Sequence, residues 1–220
     1  MIDREELDLS DLLRAPRFAR LSTVLEKGCH VGREDGEDYD FLRRHLVLVN
    51  SFYATWNSAV VEGDECYHLV GDVEHFGRRH LGRHEMLVGA IACSVRLDPG
   101  TFSDGLEFDD FVQRIEIATG SADMFLQLFA PQSRVRSDLE RREVARTRVE
   151  RCLRDLESLG FLDLTSDGSG GRRIRPRNAI HRFSLPAQMS GGNPSRIDEA
   201  VEALIRQKAL SRVSESTQDE

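Results

Sequence analysis

The segment from Ser137 to Pro176 constrains the fold more than any other part of the chain. Ser137 begins a charged helical stretch that runs to Leu159, and Glu140 stands three residues on, as a capping box requires. After Gly160, "FLDL" has the pattern of a strand, "TSDGSGG" that of a flexible turn, and "RRIRP" that of a returning strand. The segment therefore predicts a long helix that leads directly into a β-hairpin.

Further predicted helices precede the long helix and its hairpin. Apolar periodicity predicts helices over residues 85–97, 106–118 and 122–129. The N-terminal half has the same outline, with helices at 16–27 and 38–57 before a hairpin centred on Gly63-Asp64. Helices followed by a hairpin are typical of the winged-helix domain. We therefore predict a mainly α chain with small β wings (α+β), built from tandem winged-helix domains.

The composition of the remaining segments sets the domain plan. We expect an acidic N-terminal segment at 1–15, a first winged-helix domain at 16–80 and a second at 81–185. A linker and C-terminal helix follow at 186–210, and a polar, disordered tail at 211–220. No apolar run is long enough for a membrane span, and the acidic N-terminus lacks the apolar core of a secretion signal. The expected location is the cytoplasm.

The charge is unevenly distributed. The whole chain carries −8, which argues against a protein coated in positive charge for nucleic acid. Residues 134–182, however, hold 13 arginines and 8 acidic residues, for a net +5, while the rest of the chain carries −13. The predicted second wing thus lies in the one basic block of an acidic chain.

Arginines in this block are the candidates for DNA contact. In a winged helix the third helix, here the long helix from Ser137 to Leu159, can enter the major groove, and the wing can touch the DNA backbone. The candidates before or in the third helix and on or after the wing are Arg134, Arg136, Arg141, Arg142, Arg146, Arg172, Arg173, Arg175 and Arg177. For the helix arginines, pairing with acidic residues of the same helix is the favoured interpretation. For the wing arginines, nucleic acid is favoured, because only Asp163 and Asp167 lie nearby in sequence.

The predicted helix 38–57 and the predicted C-terminal helix each carry an apolar stripe that is broader than two small domains need. Burial within the fold, self-association and docking of a partner peptide all remain open as explanations. The candidates for a dimer or partner contact are Leu42, Leu46, Val49, Tyr53, Trp56, Val201, Leu204 and Ile205.

Catalysis and metal binding find little support. The chain has no Walker phosphate loop, no G-x-S-x-G elbow and no H-E-x-x-H motif, so we predict neither an enzyme nor a cofactor. A zinc site from Cys66 and His68 with His80 and His84 is conceivable by spacing. However, Gly82 lies between His80 and His84, close to the expected start of a helix. We therefore expect these histidines to be scattered on the surface rather than to bind a metal. The four cysteines form no C-x-x-C pair and should be reduced.

Four segments in matching order resemble MukE, the non-ATPase subunit of the MukBEF-type bacterial condensin. They are "APRFARLSTVLEKGCHVG", "DYDFLRRHLVLVNSFYATWN", "RVERCLRDLESLGFLDL" and "IHRFS…GGNPSRIDEAVEALIRQKA". The likeness runs from about Pro16 to Ala209. The chain is without the longer acidic tail of the enterobacterial form, so the MksE branch, acting on chromosomes or in defence against plasmids, is the other possibility.

The resemblance implies a homodimer that binds a kleisin subunit (MukF- or MksF-like) and, through it, an SMC ATPase (MukB- or MksB-like). It implies a nucleoid-associated complex that organises and segregates chromosomes, and sequence-independent contact with double-stranded DNA through Arg141, Arg142, Arg146, Arg172, Arg173 and Arg175. The apolar surplus would serve the dimer and kleisin contacts. A free-standing winged-helix transcription regulator and a pure scaffold are the alternatives.

Overall fold

The computed structural model describes residues 8–63, 65–71, 81–97, 105–131, 137–166 and 171–184. They fall into two compact units, with the division between His80 and Leu81. Unit 1 comprises the described residues up to Gly71, and unit 2 comprises those from Leu81. The predicted segments 186–210 and 211–220 lie outside the described residues.

Unit 1 is a set of three helices and a small sheet. In chain order its elements are α1 (Leu9–Arg14), α2 (Pro16–Glu26), β1 (Val31–Gly32), a 3-10 turn (Arg33–Asp35), α3 (Glu37–Tyr53), a second 3-10 turn (Ala54–Trp56), β2 (Ser58–Gly63) and β3 (Cys66–Gly71). The strands are antiparallel in the order β1-β3-β2. The predicted hairpin is therefore present, and a short third strand completes its sheet.

Unit 2 also combines helices with a small sheet, and its longest helix precedes the hairpin. Its elements are α4 (Arg83–Leu97), β4 (Leu106–Glu107), α5 (Phe108–Ala118), α6 (Ala122–Phe129), α7 (Asp138–Ser158), β5 (Leu162–Ser166), β6 (Arg172–Pro176) and a 3-10 helix (Asn178–Ser184). The antiparallel order is β4-β6-β5, with Leu164 opposite Ile174. The prediction of a mainly α chain with small β wings is confirmed. No helix in the described ranges has both the length and the apolar character to cross a membrane.

Several predicted boundaries are wrong. A strand that was not predicted, β1, lies between the predicted helices 16–27 and 38–57, and Leu106 belongs to β4 rather than to the following helix. The predicted helix 38–57 ends at Tyr53 and is kinked at His45, where φ is −114° and ψ is 15°. Two-residue strands have no periodicity of their own. They exist only because β3 and β6 provide backbone partners.

The capping of α7 follows the prediction closely. The Ser137 hydroxyl accepts a hydrogen bond from the Glu140 backbone N–H at 3.2 Å, and the Glu140 carboxylate accepts one from the Ser137 N–H at 3.1 Å. These bonds satisfy two of the donors that every helix N-terminus leaves without an intrahelical partner. At the other end Gly160 adopts a φ of 77°, which favours glycine and turns the chain into β5.

A buried helix anchors unit 2. Residues 87–93 of α4 are all buried, as expected for a helix that is apolar on every side. The Phe183 ring packs so closely on α4 that a Cβ built at Gly89 would lie 2.2 Å from its Cε1 atom. Phe183 also meets Phe161 edge to face, with 5.0 Å between the ring centroids. The base of the hairpin and the last 3-10 helix thus share one core.

Candidate nucleic-acid interface

The β5–β6 hairpin alternates between a buried and an exposed face. Ile174 and Pro176 of β6 are buried, whereas Arg175 lies between them and is exposed. Arg175 stands opposite Asp163 in the register, yet it makes no ion pair with any residue that the structure describes. It is the wing arginine whose guanidinium is most available to a ligand.

The other wing arginines have acidic neighbours. Arg172 forms an ion pair with Glu150 of α7, and an Nη2 atom of Arg173 lies 3.5 Å from a carboxylate oxygen of Glu107 in β4. The Arg177 side chain is only 13% exposed, and its Nε atom lies 3.9 Å from Asp163. A count of the acidic residues close to the wing along the chain misses Glu107 and Glu150, because they belong to other elements.

The predicted arginines of α7 differ in availability. Arg141 is 13% exposed and lies 3.3 Å from Asp138. Arg146 pairs with Asp109 of α5, and its guanidinium carbon lies 5.1 Å above the centre of the Phe108 ring. Arg142 is exposed and has no acidic partner among the described side chains. Arg134 and Arg136 lie outside the described residues.

Two arginines on the outward side of α7 were absent from the predicted site. Arg151 is exposed, and Arg154, also exposed, pairs with Glu150 one turn earlier. Their positions, opposite the buried stripe of Val149, Cys152 and Leu156, are the signal that places them on the surface. In a winged helix this outward side of the third helix is the one that faces a DNA groove.

Glu150 of α7 forms ion pairs with one arginine of its own helix and with one arginine of the wing. Its Oε1 atom accepts hydrogen bonds from both Arg154 and Arg172. Burial alone would raise the pKa of Glu150, but the hydrogen bonds and charges of Arg172 and Arg154 outweigh it and hold that pKa below the ordinary carboxyl value. Glu150 is therefore ionised at neutral pH.

The predicted dimer or partner residues of unit 1 lie in its core. Leu42, Val49 and Tyr53 are 0% exposed, and Leu46 and Trp56 are partly buried against the same cluster. The broad stripe of α3 is thus accounted for by packing against the rest of unit 1. Val201, Leu204 and Ile205 lie outside the described residues.

No zinc site is assembled from the described residues. The Cys66 thiol donates to the Gly63 carbonyl, with 2.9 Å between Sγ and the oxygen. The His84 Nε2 atom lies 2.9 Å from the Leu128 carbonyl oxygen. No group of three or more potential metal ligands occurs within the described ranges, and His80 falls outside them.

Comparison with known proteins identifies the family. The family model described as "Condensin complex protein MksE" matches residues 16–186. The chromosome partition protein MukE of Vibrio vulnificus is 26% identical over 215 residues, which cover 96% of this chain and 89% of that protein. MukE of Escherichia coli is 24% identical over 200 residues, covering 90% and 82%. MukE of Histophilus somni is 26% identical over 222 residues, covering 99% and 86%.

These matches extend over nearly the whole chain and across both units. They agree with the resemblance found in the sequence. The chain belongs to the MksE family, related to MukE, and is a subunit of a bacterial condensin complex.

Proposed function

We propose that this protein is the non-ATPase subunit of a MukBEF- or MksBEF-type condensin. In this proposal it forms a homodimer, binds a kleisin and works through that kleisin with an SMC ATPase in the cytoplasm, on the nucleoid. Family membership supports the proposal, as do the relatives whose names assign them to chromosome partition. The protein needs no cofactor for this role, since its contribution is binding rather than chemistry.

Within that complex, unit 2 contacts the DNA backbone. The observation that carries this step is a group of exposed arginines on the two elements that a winged helix presents to DNA. Arg142 and Arg151 of α7 and Arg175 of β6 are exposed, and none forms an ion pair in the described part of the chain. A guanidinium without a competing carboxylate can offer its planar fork of donors to a phosphate.

The contact has little sequence preference. The α7 sequence from Asp138 to Ser158 contains neither asparagine nor glutamine, the usual bidentate partners of adenine. Acids alternate with the arginines along the helix, and this limits its affinity for DNA outside the complex. The arginines therefore serve as phosphate contacts, which position a protein on DNA without reading its bases.

The test compares two triple variants that change the net charge equally. The first replaces Arg142, Arg151 and Arg175 by Gln. The control replaces three arginines of unit 1, Arg14, Arg43 and Arg44, which are also exposed. The affinity for a 30-base-pair duplex is measured as a function of salt, with random-sequence DNA as competitor.

We expect the first variant to weaken binding and to flatten the log–log salt dependence by about 3 units, since each phosphate contact contributes roughly 0.9. The unit 1 control should retain most of the wild-type slope. Equal losses in both variants would mean that only bulk charge matters. An unchanged slope in the first variant would remove these arginines from the DNA contact.

A further inference from the structure

Three charged side chains meet where α7 and the wing come together. We call this group the Glu150 junction; it consists of Glu150, Arg154 and Arg172. Arg154 reaches Glu150 from one turn further along α7, and Arg172 reaches it from the first residue of β6. Both guanidinium groups donate to the same oxygen, Oε1.

This arrangement has the chemistry of an occupied anion site. Two guanidinium groups that converge on one oxygen offer several N–H donors in fixed forks, the geometry that suits phosphate as well as carboxylate. The site is reachable from solvent, because the Arg154 and Arg172 side chains are 63% and 47% exposed. The Glu150 side chain is less exposed and lies beneath them, at 24%.

The position of the site matches the proposed DNA contact. One arginine belongs to the third helix and the other to the wing, and these are the two elements that can approach a groove and its flanking backbone together. Exposed Arg151 continues the positive surface along α7. With Glu150 ionised, the junction carries a net +1; without its carboxylate it would carry +2.

We propose that Arg154 and Arg172 form a binding site for a backbone phosphate of double-stranded DNA, and that Glu150 occupies this site in the free protein. This inference rests on the proposed DNA contact of unit 2. Binding exchanges the internal carboxylate for a phosphate oxygen, so Glu150 acts as a built-in competitor that lowers the affinity for DNA. A purely structural role would have the opposite effect, because Glu150 would then hold Arg172 in its binding position.

The sign of one substitution separates these two roles. Glu150→Gln keeps the shape of the side chain and removes its charge, and Glu150→Ala removes the carboxylate altogether as a second variant. The matched control is Glu143→Gln, which changes the net charge equally at an exposed α7 position that makes no ion pair within the described ranges. Each variant is made in the full chain, and its fold is checked by circular dichroism before binding is measured on the 30-base-pair duplex.

We expect Glu150→Gln and Glu150→Ala to bind the duplex about threefold to tenfold more tightly than the wild type, because binding no longer has to break two surface ion pairs. Glu143→Gln should change the affinity by less than about twofold, since it breaks no such pair. The gain should disappear when Arg154 and Arg172 are also replaced by Gln.

Three results would overturn the inference: a loss of affinity in both Glu150 variants, an equal gain in Glu143→Gln, or a gain that survives removal of both arginines. If the wild type binds DNA through Arg142, Arg151 and Arg175 but Glu150→Gln binds no better, this inference alone fails. If neither the wild type nor the Glu150 variants bind the duplex, the proposed DNA contact fails with it.

Discussion

Replacement of Leu42 by alanine tests whether the broad apolar stripe of α3 is core or interface. Leu42 is 0% exposed and belongs to the core cluster of unit 1. Val47, five residues further along the same helix, is 80% exposed. Leu42→Ala and Val47→Ala are therefore a matched pair, with both changes made on one helix but at opposite levels of burial.

The expected cost follows from that difference in burial. A fully buried Leu→Ala change loses the transfer free energy of the side chain and leaves a cavity, at a cost of roughly 2–5 kcal/mol, and we expect about 3 kcal/mol here. Val47→Ala should change the free energy of unfolding by no more than about 0.5 kcal/mol, as for other surface substitutions. The substitution should be slightly stabilising, since alanine is a better helix former than valine.

The assay can be confined to unit 1. Trp56 is the only tryptophan in the chain, and it packs against the core cluster of unit 1. Its fluorescence during urea unfolding therefore reports on this unit alone. At a slope of about 1–3 kcal/mol per molar, a loss of about 3 kcal/mol lowers the urea midpoint by roughly 1–3 M.

An unchanged midpoint for Leu42→Ala, together with a weakened self-association in sedimentation, would refute the reasoning. Leu42 would then be an interface residue, as one of the sequence interpretations proposed. A midpoint shift of similar size in Val47→Ala would also contradict it, because burial would not be what decides the cost.

Three further predictions concern α7 and the cysteines. Ser137→Ala should destabilise unit 2 by about 1 kcal/mol in thermal unfolding, since it removes the N-cap hydrogen bond; no change would mean that the cap is dispensable. Thiol labelling at pH 8 should modify half-buried Cys29 before Cys152, because burial raises the pKa of the Cys152 thiol to about 12; the reverse order would contradict this. The two junction arginines hold the pKa of Glu150 below the ordinary carboxyl value, so the stability that it contributes should be complete above that ordinary value and be lost as the pH falls through the lowered pKa. Glu150→Gln should flatten the acid part of the stability curve, and an unaltered curve would show that the ion pairs contribute nothing.

The parts of the fold that sequence predicted well are those set by local chemistry. The capping box at Ser137 and Glu140 is fixed by residues three apart, and the β5–β6 hairpin by alternation around a glycine-rich turn. The strands at Val31–Gly32 and Leu106–Glu107 were missed because their existence depends on partners far along the chain. Local pattern can predict a hairpin, but it cannot predict which distant pair of residues will extend its sheet.

The candidate site was less predictable for the same physical reason. Counting acids near the wing in sequence left out Glu107 and Glu150, which the fold brings to Arg173 and Arg172. The charge block itself was visible in the sequence, but which guanidinium groups stay unpaired depends on tertiary packing. For Leu42 the sequence could show only that the side chain is on an apolar stripe, not what covers that stripe.

The central claim, that this protein works as a condensin subunit, is tested most directly by affinity purification of the tagged chain from its native cells, with quantitative mass spectrometry. The account predicts that a kleisin and a large coiled-coil ATPase co-purify with it in a fixed ratio, and that the ratio is kept when Arg142, Arg151 and Arg175 are replaced by Gln. Recovery of the protein without either partner would contradict the claim and would leave a winged-helix protein that acts outside any condensin.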